Sequence, residues 1–293
     1  MFNIFRYTPK DSLLVLFAIA VLLTPLLLIN ANLSIIGLAI VSFFHIWLIV
    51  ICQNSSLHHH THCPIFKSKK LNRVYELLVS AATGIPHHSW KSGHLIHHVH
   101  VNDKPINGKT KDPTSVYADG KDGNPTNFWI YCFGPLLWLN IKFYLFMIAP
   151  TVHKIKVYRN EYKHEQWAFY VFITSIMCVD FFYGLLLLVL YILSYAVNNA
   201  NSYGEHWGAL TRRGDTTQDS VGIYSKWYNL ITFNAGYHQE HHHKPGTHWS
   251  RLPEVTPLLH PDRVIVNHGI HITNNPFRSH FVALIKGENV EPK

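Results

Sequence analysis

Residues 33–62 read LSIIGLAIVSFFHIWLIVICQNSSLHHHTH. The first part, 33–52, is apolar almost throughout. A helix rises 1.5 Å per residue, so roughly 20 such residues cross about 30 Å of hydrocarbon. The run then turns polar and ends in five residues of which four are histidine. The sequence therefore predicts a membrane helix that delivers imidazoles to the membrane surface.

Residues 13–29 are equally apolar and long enough to span. Only Asn30-Ala31-Asn32 separates the two runs, so they form a hairpin. A second span following at once also argues for a retained anchor rather than a cleaved signal. Arg6 and Lys10 precede the hairpin, and basic residues mark the cytoplasmic side. The N-terminus and the segment after Cys52 are then both cytoplasmic. A third apolar run, 167–200, is overlong for one span and would place Asp180 near the bilayer centre, at about 2.5–3.5 kcal/mol. Two short spans with a turn at 180–184 remove that cost, and this reading is preferred. The run 127–149 is interrupted by Gly134-Pro135, carries Asn140 and Lys142, and reads as an in-plane helix. The alternative pairs it, as a span, with one long helix over 167–200.

The resulting expectation is an all-α integral membrane protein. About four transmembrane helices (13–29, 33–52, 164–180, 184–200) form two hairpins, and a cytoplasmic helical cap holds a histidine-rich site. The chain, 1–293, is one domain with cytoplasmic segments 53–166 and 201–293. Composition agrees. Charged residues make up 14% of the 293, against about 25% in average soluble domains, which speaks against disorder, a coiled coil or an ordinary soluble domain. The four cysteines, Cys52, Cys63, Cys132 and Cys178, show no CxxC spacing, so neither a disulfide framework nor a thiolate zinc site follows from them.

Histidine is the unusual count, at 23. His58 and His62 are four apart and share a helix face, while His59 and His60 point elsewhere. His94, His97 and His98 form an HxxHH, and His238, His241 and His242 form another. His206 stands alone just past the last apolar run. Positions i, i+3 and i+4 make one triangle of side chains on a helix, so each HxxHH offers up to three imidazoles to one point. Neutral imidazole suits iron, zinc, copper or nickel. These are more imidazoles than one four-coordinate zinc can use, and two metal ions of higher coordination would use them. His45 lies inside the second span and reads as a core histidine. His87, His88, His100, His243 and His248 flank the groups and read as supporting or surface residues.

HxxxH directly after a membrane hairpin, HxxHH about thirty residues on, and HxxHH after a second hairpin resemble the integral-membrane fatty acid desaturase and hydroxylase superfamily, over about residues 33–253. Asp112-Pro113, Pro245 and Leu252-Pro253 are similar to family features. The stretch 201–208 is similar to the one that supplies an extra histidine in membrane alkane monooxygenases. The second box is one residue tighter than in those monooxygenases, which favours the desaturase branch. The first box lacks the acidic residue that follows the first histidine in many desaturases. The resemblance implies a non-haem di-iron centre, with O2 as co-substrate, at the cytoplasmic membrane surface. By motif its ligands are His58, His62, His94, His97, His98, His206, His238, His241 and His242. It implies an O2-dependent oxidoreductase, a fatty acyl desaturase, with a fatty acid or alkane-type hydroxylase as the alternative. A non-enzymatic metal transporter or sensor is less favoured, because transport needs polar ligands along the spans and these hold only His45 and Asp180.

Glu205, Glu240 and Asp112 are candidates to orient imidazoles. With no cytochrome b5, ferredoxin or flavin segment in the sequence, electrons are expected from a separate donor protein of ferredoxin or cytochrome b5 type. The net charge of +8 fits an acidic donor or anionic lipid, and positive-inside bias accounts for it equally. The expected partners are a lipid or fatty acyl substrate and the membrane, and no nucleic acid.

Overall fold

The computed structural model describes residues 4–112, 114–121, 123–137, 159–209 and 216–259. Among these residues the chain is helical, with two isolated β-bridges and no sheet. In chain order the helices are α1 (Ser12–Leu28), α2 (Ile35–Ile51), α3 (His58–His62), α4 (Lys69–Thr83), α5 (His87–His100), α6 (Phe128–Leu137), α7 (Arg159–Val179), α8 (Phe181–His206), α9 (Lys226–Ile231) and α10 (His238–His243). Contacts divide the chain into a first unit, 1–92 with 148–198, and a second, 93–147 with 199–293.

In the first unit α1 and α2 form the expected hairpin around the polar turn. Ser34 caps α2 by accepting the Gly37 N–H at 3.2 Å. Between α2 and α3 lies a π-helical segment, Cys52–Leu57. The chain stays helical from Ile35 through His62, as the shared face of His58 and His62 requires, with the π-helical segment as a wide turn inside it. The polar side chains here are spent on neighbouring helices. Ser56 Oγ donates to the Leu14 carbonyl at 3.0 Å, and Gln53 Nε2 donates to the Thr83 carbonyl at 3.2 Å. Wide turns of this kind re-aim the residues that follow them and recur at functional sites. The helical spacing of His58 and His62 survives because both lie in α3.

Helix α4 packs against α1 and α7, and Leu14, Val21, Tyr75, Val79 and Ile176 are buried in this core. It ends at Gly84, whose φ of 70° places it in the left-handed region. A Cβ there would also sit 3.1 Å from Tyr191 and 3.3 Å from Phe169. Gly84→Ala is expected to cost about 1–2 kcal/mol from backbone strain alone. Thermal unfolding in detergent checks this, and an unchanged midpoint would contradict it.

The apolar run 167–200 is interrupted at Asp180, as the preferred hairpin reading requires. The break is one residue rather than the turn expected over 180–184. Asp180 Oδ1 accepts the Tyr183 N–H at 2.9 Å and so starts α8. Gly184 lies inside α8, where a Cβ would come within 3.0 Å of the Met177 backbone. Three described helical stretches are long and apolar enough to cross a membrane: Pro9–Leu28, Ile35–His62 and Phe181–His206. Helix α7 is not among them, since Arg159, Glu161, Lys163 and Glu165 occupy its first two turns. Large apolar side chains stand uncovered on the spans, among them Ile35 at 85% and Phe182 at 79% exposure. Water would penalise such surface and lipid would not. His45 is buried in α2 as a packed core residue, with neither ring nitrogen hydrogen-bonded.

In the second unit the core gathers Val116, Phe128, Cys132, Tyr203 and Trp207. Tyr203 satisfies its hydroxyl by donating to the Thr126 carbonyl at 2.8 Å. Helix α6 continues through Gly134-Pro135, so the break expected there does not occur. The rest of the in-plane helix reading, 138–149, lies outside the described residues. None of the four cysteines is in a disulfide.

Candidate metal centre

Seven of the motif histidines belong to the second unit, and the fold brings them together. The end of α5 carries His94, His97 and His98, the end of α8 carries His206, and α10 carries His238, His241 and His242. His98 Nε2 lies 3.1 Å from both His94 Nε2 and His241 Nε2. A second focus joins His97, His206 and His242, whose ligand atoms lie within 4.8 Å of one another. His238 Nε2 approaches His206 Nε2 at 3.2 Å. The rings of His98 and His242 are 4.4 Å apart, so the two foci adjoin.

Protonation makes this arrangement informative. A neutral imidazole has one N–H and one lone pair. His98 Nε2 carries either a proton or a lone pair, so it can complete only one of its two close approaches to His94 and His241 as a hydrogen bond. His242 is buried, and neither of its ring nitrogens has a hydrogen-bond partner. Its pKa is held well below the usual histidine value, by burial first and then by the neighbouring His98, His238, His206 and His97. It therefore stays neutral with a lone pair to give. A set of neutral imidazoles fits one or two transition-metal ions such as iron.

The supporting groups resolve differently for the three acidic candidates. Asp112 is fully buried, and its Oδ2 takes His97 Nδ1 at 2.9 Å. The same carboxylate accepts the backbone N–H groups of Asn102 and Thr114, each at 2.8 Å. Burial pushes the Asp112 carboxyl up, but the His97 ring and these hydrogen bonds outweigh it and hold the pKa at about 2. His97 thus keeps its proton on Nδ1 and offers Nε2, the usual way in which a carboxylate orients a metal-binding imidazole. Glu205 lies farther off, with Oε2 3.7 Å from His238 Nε2, and its Oε1 accepts from Asn201 at 2.8 Å. Glu240 accepts hydroxyl hydrogen bonds from Tyr224 at 2.9 Å and Thr256 at 2.6 Å. These bonds anchor α10 rather than orient a ring.

Sequence reasoning missed Asn102. It adopts φ 54°, a conformation asparagine tolerates. Its Nδ2 donates to the His206 carbonyl at 3.0 Å, and its Oδ1 accepts the Val116 N–H at 2.9 Å. One side chain thereby ties the second box to the lone histidine. Its place four residues past the box was the only available signal.

His58 and His62 belong to the first unit, where their ring centres lie 5.7 Å apart. His60 turns the other way, against Tyr75 at 4.8 Å and His87 at 5.2 Å. The ring of His59 stacks on His58 at 5.6 Å, so of the two residues expected to point elsewhere only His60 leaves the pair. His87 and His88 are not surface residues, since both are buried. His248 is also buried, while His100 and His243 are partly exposed.

A family model described as Fatty acid desaturase matches residues 32–273. Among curated proteins the chain is similar to sphingolipid delta(4)-desaturase DES1 of Drosophila melanogaster, at 29% identity over 63% of this chain and 54% of that one. It is similar to sphingolipid delta(4)-desaturase/C4-monooxygenase DES2 of Rattus norvegicus, at 29% identity over 70% and 61%. For sphingolipid delta(4)-desaturase of Candida albicans the values are 23%, 68% and 56%. The chain thus spans little more than half the length of these relatives. No solved structure matches it.

Proposed function

The chain belongs to the fatty acid desaturase family, and on that premise we propose that it is a membrane-bound non-haem di-iron desaturase of lipid acyl chains. The relatives' names favour a sphingolipid as the substrate class. The observation that carries the reading is the convergence of seven imidazoles in one unit, with His242 buried and both its nitrogens unpartnered. The proposed ligands are His58, His62, His94, His97, His98, His206, His238, His241 and His242. Iron bound there, with O2 and external electrons, supplies the chemistry that removes two hydrogens from adjacent carbons. Asp112 keeps His97 in the tautomer that presents Nε2. Tyr224 and Thr256, through Glu240, fix the helix that carries the third box.

The rest of the reading follows from the family and the charge pattern. Residues 1–293 act as one domain with four spans, the fourth contributed by the apolar part of α7. The site faces the cytoplasm, and a separate ferredoxin or cytochrome b5 type protein delivers electrons.

Expression of the full chain in a host cell, followed by lipid profiling by mass spectrometry, tests the activity. Lipids lighter by two hydrogens and carrying a new double bond are expected. Lipids heavier by one oxygen would move the assignment to hydroxylation, and an unchanged profile from iron-loaded protein would reject both. The first box has its own test. His58→Ala or His62→Ala is expected to abolish activity and lower bound iron, while His60→Ala keeps both. Loss of iron from His60→Ala with retention in His58→Ala would overturn this ligand assignment.

A further inference from the structure

A second cluster of metal-binding side chains lies in the first unit, made of residues that no histidine box contributes. Glu76 stands on α4, His87 and His88 open α5, and Glu165 stands on α7. One ligand atom from each lies within 4.8 Å of the others. His87, His88 and Glu165 are buried, and the Glu76 side chain is 16% exposed.

Part of the cluster has an ordinary explanation. Glu165 Oε2 accepts the His88 backbone N–H at 2.8 Å, which favourably places a negative charge at the start of α5. Arg73 pairs with Glu165 and, at 3.0 Å, with Glu76. The pairing of His88 Nδ1 with Glu165 Oε1 at 2.6 Å belongs to the same lock. His87 does not. It is 1% exposed, and neither ring nitrogen has a hydrogen-bond partner. Leaving a buried polar group unsatisfied is costly, and nothing in a helix-capping role requires an imidazole there. His60 does not relieve it either. Its Nδ1 accepts the Ile65 N–H at 3.3 Å, so in the neutral ring Nε2 carries the proton, directed toward Glu76 at 3.8 Å.

We propose that Glu76, His87, His88 and Glu165 bind one divalent transition-metal ion that ties α4, α5 and α7 together. Two imidazoles and two carboxylates are a borderline donor set, and a closed four-ligand shell is the form of a structural zinc site. A tetrahedral ion with bonds of about 2.0–2.1 Å holds its ligand atoms roughly 3.4 Å apart. The four ligand atoms, already within 4.8 Å of one another, reach that spacing by drawing in around the ion while the 2.6 Å contact of His88 with Glu165 opens. Burial first, then the nearby His60, His88, Lys91 and Arg73, keeps His87 neutral and able to ligate. Arg73 cancels one of the two carboxylate charges, and the remaining one attracts the cation. Arg73 and Lys91 oppose the cation in turn, so its affinity rests on the four direct bonds.

The test uses the full chain in detergent, purified with its iron retained and dialysed to equilibrium against dilute Zn2+. Elemental analysis is expected to find one more zinc per chain in the wild type than in His87→Phe, which keeps a planar aromatic ring without a donor. Iron content is expected to be equal in the two proteins. The zinc X-ray absorption of the wild type minus that of the variant is expected to show only nitrogen and oxygen ligands, two of them imidazole. Because the readout is a difference, it holds whatever occupies the histidine boxes. Should His87→Phe fail to fold, Glu76→Gln gives the same comparison with the shape preserved. Equal zinc in wild type and variant, or a difference spectrum lacking the two-imidazole, two-carboxylate signature, overturns the proposal.

Discussion

His242→Ala is expected to abolish product formation and to strip at least one metal equivalent from the protein. The side chain is buried at the meeting point of both foci, with rings of His97, His98, His206 and His238 all within 5.1 Å. Truncation removes a donor that no neighbour can replace, because the other imidazoles already converge on their own partners. Loss of a supporting group around a metal typically costs about 10–100-fold, and loss of a ligand should exceed that. Iron analysis beside lipid profiling checks the result. Full iron with full activity would remove His242 from the ligand set.

Asp112→Asn is expected to lower activity by about 10–100-fold while leaving the protein folded. The asparagine side chain keeps the volume and one carbonyl oxygen, so a hydrogen bond from the Asn102 or Thr114 backbone survives. It no longer supplies a charge to hold the His97 proton on Nδ1. A rotamer that presents the amide NH2 to His97 would draw its Nδ1 lone pair and leave the proton on Nε2, the atom that should face the metal. The measurement is turnover together with iron content at neutral pH. Wild-type turnover in a fully folded variant would show that His97 needs no such partner.

Both predictions concern residues whose roles were legible to different degrees. His242 was visible in the sequence, because three residues spaced i, i+3, i+4 must share a face once a helix forms. The same logic paired His58 with His62 and turned His60 away, and the local α-helical geometry of α3 respects it. Asp112 was visible as an acidic residue near the second box, but its partner was not. Glu205, Glu240 and Asp112 looked alike in sequence, and only packing distinguished the one that touches an imidazole at hydrogen-bond distance.

The sequence by itself determined the helical class, the apolar hairpin before the first box, the interruption at Asp180 and the grouping of the histidines. Each of these follows from short-range rules of helix period, apolar length and the cost of a charge in hydrocarbon. Only the tertiary structure decided the π turn at Cys52–Leu57, whose side chains are bound by α1 and α4. It also decided the bridging role of Asn102 and the burial of His87 and His88 beside Glu165. Glu165 lies 77 positions from His88 and 92 from Arg73 along the chain. Partners so distant are chosen by how helices pack, and no local periodicity encodes the choice.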